Sequence, residues 1–448
     1  MKAVLLFAAG HLLLLPLGAW LAFHPSLRRQ SLGVRLSGAL TAGAVGLTVE
    51  AMALTALGIR WTPALLCAPL LALSAALAWR WAGPDVGPDG PARAALRGPA
   101  VALASAASLL ALAHLGASLL TERATSVDYV YFWGVKAARF AAARSIDPVL
   151  LGWEYFFHAV PSYPPLVPVV EALPAMLAGG MAWKTGPLAA LFWFLGALPV
   201  VWAALRRRLP EDGAAAVAGF WTVALALSLV WSFSGGNGEA PLLFFLTVAG
   251  ATLLCERPER AQADTSRALV AVALAGAALA KVEGLVGALL LVAGVALRDR
   301  LAGRPQALAR GAALALAPAA AVLLWFGFQR AVGLPVGYAG HGFFFDLHFE
   351  NVGKILATAL QNLWGGTAGL SWIVPAAVLL LARSRRDALP AFALVAGTFA
   401  FLLFDYLHDP DPSQRIGWTF PRVTQSGLSL WILAAGVVGF RARVGGDS

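Results

Sequence analysis

Apolar residues fall in long runs along nearly the whole chain, and polar residues collect in short stretches between them. A helix needs about 20 apolar residues to cross a bilayer. On that measure the runs predict helices at about 3–23, 35–57, 62–81, 98–120, 184–205, 214–233, 238–255, 268–281, 283–297, 307–328, 367–382, 388–405 and 425–441. Runs of this length suit neither a soluble core nor the ~10-residue alternating strands of a membrane barrel. The expected fold is an all-α, polytopic transmembrane bundle of about thirteen spans. The longest polar interruption in the N-terminal half is 126–168, which holds Asp128, Lys136, Arg139, Arg144, Asp147, Glu154 and His158.

Composition strengthens this picture. Hydrophobic residues make up 59% of the 448 and charged residues 12%, about half the charged share of a soluble domain. The net charge of +10 sits in short basic clusters between apolar runs, which is a topology signal and not a nucleic-acid surface. Cys67 and Cys255 fall in or at the end of predicted spans, far apart in sequence, and suit neither a disulfide nor a metal site. Residues 3–23 follow Lys2 and precede Arg28, Arg29 and Arg35 without a small-residue cleavage site, so they read as a retained first span.

Lys and Arg are retained on the cytoplasmic side. Placing Arg28/Arg29/Arg35, Arg80/Arg93/Arg97, Arg206–Arg208, Arg257/Arg260/Arg267, Arg298/Arg300/Arg304/Arg310, Arg383/Arg385/Arg386 and Arg441/Arg443 inside puts 21 of the 33 basic residues there. The N-terminus is then outside and the C-terminus inside, in the plasma (inner) membrane. Outer loops follow at 121–183, 331–366 and 405–424. Within the first, 164–181 is apolar enough to resemble a span, but counting it as one would export Arg206–Arg208. It is expected to lie in or dip into the outer interface, started by Pro164 and Pro165. A second interfacial helix is expected at 129–143, with Tyr131, Phe132 and Trp133 facing the boundary. The 268–297 hairpin predicts two arms of about 14 residues, each short of a full crossing. Its tip, Lys281 to Gly284, would lie below the outer surface.

Asp128 has two readings: a general base at the membrane's outer edge, or an N-cap for the helix that follows it. Lys136 and Arg139, one turn apart, suit a phosphate headgroup or simply snorkel. Lys281 and Glu283 are costly at membrane depth and either serve function or neutralise each other. Asn237 and Glu239 form a turn that opens the next helix. Arg422 either grips an anion or pairs with Asp405, Asp409 or Asp411. His158 and Tyr163 flank Pro161. No HExxH, GxSxG, P-loop, dinucleotide fingerprint or HxH/CxxC spacing occurs, so the chemistry must need few side chains.

These residues carry a resemblance. The order Asp128-Tyr-Val-Tyr-Phe-Trp133-Gly-Val-Lys136-Ala, then His158 and Ser162-Tyr163-Pro164-Pro165-Leu166, resembles the first outer loop of the membrane-integral C-type glycosyltransferases. The similar branch is that of protein mannosyltransferases and lipid A aminoarabinose transferases. Leu279-Ala280-Lys281-Val282-Glu283-Gly284 is similar to its Thr-Lys-x-(Glu)-Gly element. The turn at Glu239 resembles its second acidic element, where an Asp is usual, and Thr419-Phe-Pro-Arg422 a late outer-loop arginine. The likeness covers 98–435. Residues 1–97 look like an extension of about three spans before a transferase-like domain at 98–441.

The resemblance implies transfer, at the outer face, of a sugar from a polyprenyl-phosphate donor to an envelope glycan, lipid or protein acceptor. It implies Asp128 as base, and Lys136, Lys281 and Arg422 as candidates for the donor phosphate. Glu239 and Glu283 become possible helpers in acceptor or sugar binding, with His158 and Tyr163 beside them. No cofactor is expected, and no clustered acids demand a metal. Three alternatives remain: a transporter or flippase for lipid-linked saccharides, which would place charges at several mid-span positions; a polysaccharide ligase or polymerase, which would favour an arginine-rich late outer loop; and a scaffold without catalysis, since Glu239 departs from the usual Asp.

Overall fold

The computed structural model describes residues 2–81, 98–152, 163–256, 267–336, 347–364, 367–381 and 386–444. Apolar runs become helices wherever the sequence has them, because a backbone in hydrocarbon must satisfy its own hydrogen bonds. The first helices are α1 (Lys2–Leu12), α2 (Leu32–Ala56), α3 (Pro63–Trp81) and α4 (Pro99–Leu120). The first outer stretch holds α5 (Gly134–Ala143) and α6 (Leu166–Ala178). Then come α7 (Ala189–Arg206), α8 (Glu211–Trp231), α9 (Glu239–Leu254), α10 (Arg267–Ala280), α11 (Val282–Leu301) and α12 (Ala307–Ala331). The last are α13 (Val352–Trp364), α14 (Thr367–Leu381), α15 (Leu389–Tyr406), α16 (Ser413–Val423) and α17 (Gln425–Val444). Local signals set several starts: the Ser31 hydroxyl accepts from Val34 N at α2, and Pro99 opens α4, where its missing N–H costs nothing.

The chain is an all-helical membrane-embedded protein. Seven described helices are long and apolar enough to cross a bilayer, and an eighth arises if α16 and α17, bent by 46°, form one span. Helices stand at all thirteen predicted places, but α9, α10 and α14 have only 16, 14 and 15 residues. The run 3–23 is not one helix. It breaks into α1 and two short segments, Leu14–Leu17 and Ala19–Phe23, around Pro16 and Gly18, residues that weaken a continuous helical ladder.

One continuous apolar core runs from Leu14 to Val438. The N-terminal helices share it: α1 packs on α6, and α2 on α7 and α10. Residues 1–97 are thus built into the bundle through their described helices. Around this core α3 and α4 present mostly exposed apolar faces.

Three expectations change. The 129–143 helix forms, but its first turn, Tyr129–Trp133, is π-helical, and only Tyr131 of its three aromatics is exposed. The helix in 164–181 does not lie along a lipid-facing surface. Residues Leu166 to Ala175 are all buried, against α1, α2 and α5, because the run is apolar apart from Glu171, which is buried with it. In the hairpin, α10 has the expected 14 residues but α11 has 20.

The bundle has two chemically distinct ends. At one, Asp299 is buried and accepts from Arg298, Arg304 and Arg310 at 2.8–3.0 Å, while Arg208 reaches the Cys255 carbonyl at the end of α9. The opposite end of α9, about 24 Å away at 1.5 Å per residue, starts at Glu239.

Candidate functional site

The loop after α4 is fixed by a short parallel bridge between Thr125 and Gly235. Ser126 N donates to Gly235 O at 2.9 Å and Gly235 N to Ala124 O at 2.8 Å. Gly236 makes this approach possible. Its φ is +79°, and an added Cβ would lie 2.4 Å from the Tyr129 ring. The bridge joins the loop bearing Asp128 to the turn bearing Glu239, two segments more than a hundred residues apart in sequence.

Asp128 is not a helix cap. Its backbone is already helical and its carboxylate makes no capping bond; the Ser126 hydroxyl accepts from Asp128 N at 3.1 Å instead. That leaves the carboxylate free to reach across the molecule. Its Oδ2 lies 2.5 Å from Arg422 Nη1, which also contacts Ser126 Oγ at 3.4 Å. Arg422 Nε donates to Trp418 O at 2.8 Å, so α16 itself aims the guanidinium. The loop aspartates take other partners: Asp405 pairs with Arg415 at 2.7 Å and Asp411 with Lys354 at 2.6 Å.

Lys281 is the single extended residue between α10 and α11, with φ −154° and ψ 160°. The two helices pack closely there because position 284 is glycine: a Cβ on Gly284 would sit 1.8 Å from Ala277 O. The buried Lys281 ammonium lies 2.9 Å from Glu239 Oε1 and 3.2 Å from Glu283 Oε1. The tip charges do neutralise each other, with Glu239 as a third member. The other oxygen of each glutamate is buried without a hydrogen-bond partner. Asn237 Oδ1 accepts from Glu239 N at 3.1 Å, while its amide nitrogen is likewise unsatisfied. Buried polar atoms of this kind cost free energy unless a ligand or water meets them.

Tyr163 sits above Lys281, whose Nζ is 5.8 Å from the ring centre. The Glu283 carboxylate, followed by burial, pushes the phenol's pKa up, against the opposing pull of Lys281. Phe132 and Trp133 pack edge-on against Tyr163 at 5.4 and 5.7 Å. Lys136 is buried beside them, with Nζ 4.0 Å above the Phe132 ring. Burial pushes its pKa well down. Lys136 is therefore not a snorkelling surface cation, and its helical neighbour Arg139 points elsewhere, to Asp147 at 2.8 Å. His158 lies outside the described residues.

The structure thus gathers Asp128, Arg422, Glu239, Lys281, Glu283 and Tyr163 at one end of the bundle, with Arg422 within electrostatic reach of Glu239 and Tyr163. Beside Glu283 a narrow, mostly apolar crevice lies between α9, α11, α15 and α17, lined by Leu246, Val286, Leu394, Thr398 and Phe401. Sequence reasoning missed Ser126 as the organiser of Asp128. It also missed Gln425, whose buried amide donates to Ser232 and Ser234 hydroxyls and ties the start of α17 to the bridge turn. A Ser-x-Ser-Gly-Gly-Asn turn after one span and a Gln opening the last were the available signal.

A carboxylate beside a guanidinium and two further carboxylates around an ammonium have the chemistry to hold a molecule with an anion and several hydrogen-bond donors. Comparison with protein-family models, curated proteins and solved structures finds nothing that matches the chain.

Proposed function

We propose that the protein is a membrane-embedded glycosyltransferase that moves a sugar from a polyprenyl-phosphate donor to an envelope acceptor at the extracytoplasmic face. The observation that carries this reading is the pairing of Asp128 with Arg422 across 294 residues, beside Lys281 and its two glutamates. The donor phosphate exchanges into Arg422 and Lys281, and its sugar hydroxyls meet the free oxygens of Glu239 and Glu283. Tyr163 closes one side.

Asp128 then takes the proton of the acceptor hydroxyl as that oxygen attacks the anomeric carbon, and the bond from that carbon to the phosphate oxygen breaks. Polyprenyl phosphate leaves with its charge met by the two cations. A leaving group of this quality needs one base and electrostatic stabilisation, which accounts for a site without a familiar motif. Lys136, behind the aromatic wall, supports the shape of the site more than the phosphate.

The test is transfer by purified protein from polyprenyl-phosphate sugars to candidate acceptors. Asp128→Asn is expected to lose roughly 10²–10⁴-fold in rate while retaining donor binding. Wild-type transfer retained by Asp128→Asn would remove Asp128 from the chemistry, and donor binding without turnover across several donors and acceptors would favour transport.

A further inference from the structure

The loop pattern did not single out α13, whose surroundings leave part of it uncovered. One face of α13 is packed: Ile355 is buried with Leu402, Tyr406, Ile416 and Phe420 in a small core separate from the main one. The helix is also tied down by polar contacts. Lys354 pairs with Asp411, the Asn351 amide donates to the carbonyls of Asp409 and Pro410 at 3.2 and 3.1 Å, and His348 N donates to Leu407 O at 2.8 Å. Yet a second apolar stripe is left uncovered. Phe349, Leu356 and Leu360 are 65%, 49% and 52% exposed, and Trp418 on neighbouring α16 is 66% exposed.

The chain itself says what covers that stripe. Only residues 365 and 366 separate α13 from α14, an apolar helix whose exposed Leu370, Val374 and Leu381 face outward from the bundle. The end of α13 is thus tethered to an apolar helix, and exposed leucines stand on both. An exposed tryptophan beside them is the side chain favoured at a membrane boundary, and a helix with one face on protein and a second apolar stripe lies stably in the headgroup layer.

We propose that α13, with the 3-10 turn Phe349–Asn351 that leads into it, is a membrane-surface anchor, seated in the lipid headgroup region through Phe349, Leu356 and Leu360, and that it holds the small core carrying α16 against the bilayer. Because Arg422 stands in the last turn of α16, the anchor fixes the height at which that guanidinium meets Asp128. The membrane seating does not depend on the transferase reading, and its test needs no activity.

Leu356→Cys, Leu360→Cys and, for comparison, Gln414→Cys on exposed α16 are made in a Cys67→Ser/Cys255→Ser background. Each is labelled with an environment-sensitive fluorophore in the full-length protein, reconstituted in vesicles. At 356 and 360, lipids brominated near the headgroup are expected to quench strongly and iodide weakly, with the reverse order at 414. Iodide quenching at 356 and 360 equal to that at 414 overturns the anchor in favour of a solvent-facing stripe. Protection from both quenchers overturns it in favour of a contact between protein copies. Leu356→Asp/Leu360→Asp, with the probe at Phe349→Cys, is expected to raise iodide access while the thermal midpoint in detergent stays near the parent; unchanged access in that variant counts against the anchor as well.

Discussion

Asp128 shows how a residue with two sequence readings is decided by its partner. The cap role belongs to Ser126, and the acid is free to meet Arg422. Lys281 shows the energetic side of the same site. A buried ammonium shared by two carboxylates is a weak contributor on balance, but removing it leaves unpaired buried charge, a cost of about 3–5 kcal/mol. Lys281→Met is accordingly expected to destabilise by that order in denaturant titration. Adding Glu239→Gln and Glu283→Gln should recover part of the loss, since the repelling anions are then gone. Lys281→Met with parental stability would mean that the acids are satisfied some other way.

At the scale of elements, apolar periodicity located nearly every helix and misjudged what some of them do. The run that became α6 is apolar except for Glu171, and such a helix is best covered by other helices. Only packing shows that α1, α2 and α5 provide that cover. The α10–α11 pair depends on a single close approach at Gly284. Gly284→Ala places a methyl against the Ala277 carbonyl, so the hairpin must open. A loss of about 1–3 kcal/mol is expected, as for overpacking elsewhere, with Lys281 displaced from Glu239. Unchanged thermal stability and unchanged transfer in this variant would show that the hairpin tip tolerates movement and does not position the site.

For the whole molecule, charge asymmetry and site location agree. The arginines around Asp299 lie at the end of α9 opposite Glu239; positive-inside retention of those arginines is the ground for expecting the site to face outward. Exposed positions at each end test this. An impermeant maleimide should label Gln414→Cys in intact cells and Gln306→Cys only after lysis. The opposite pattern would place the site on the cytoplasmic side and rule out transfer at the outer face.

The sequence by itself determined that this is a helical membrane protein, where nearly all its helices fall, and which charged residues stand out against an apolar background. Those are local properties, since hydrocarbon demands long apolar runs and makes each buried charge conspicuous. It also singled out Asp128, Glu239, Lys281, Glu283 and Arg422, which the fold brings together, because they interrupt or border apolar runs. Which of them touch was decided only by tertiary structure. A carboxylate pairs with whichever cation the fold brings within about 4 Å, and that distance depends on helix packing across hundreds of residues. The same holds for coverage: whether an apolar face meets protein, as in α6, or is left uncovered, as on α13, depends on neighbours that no local pattern encodes.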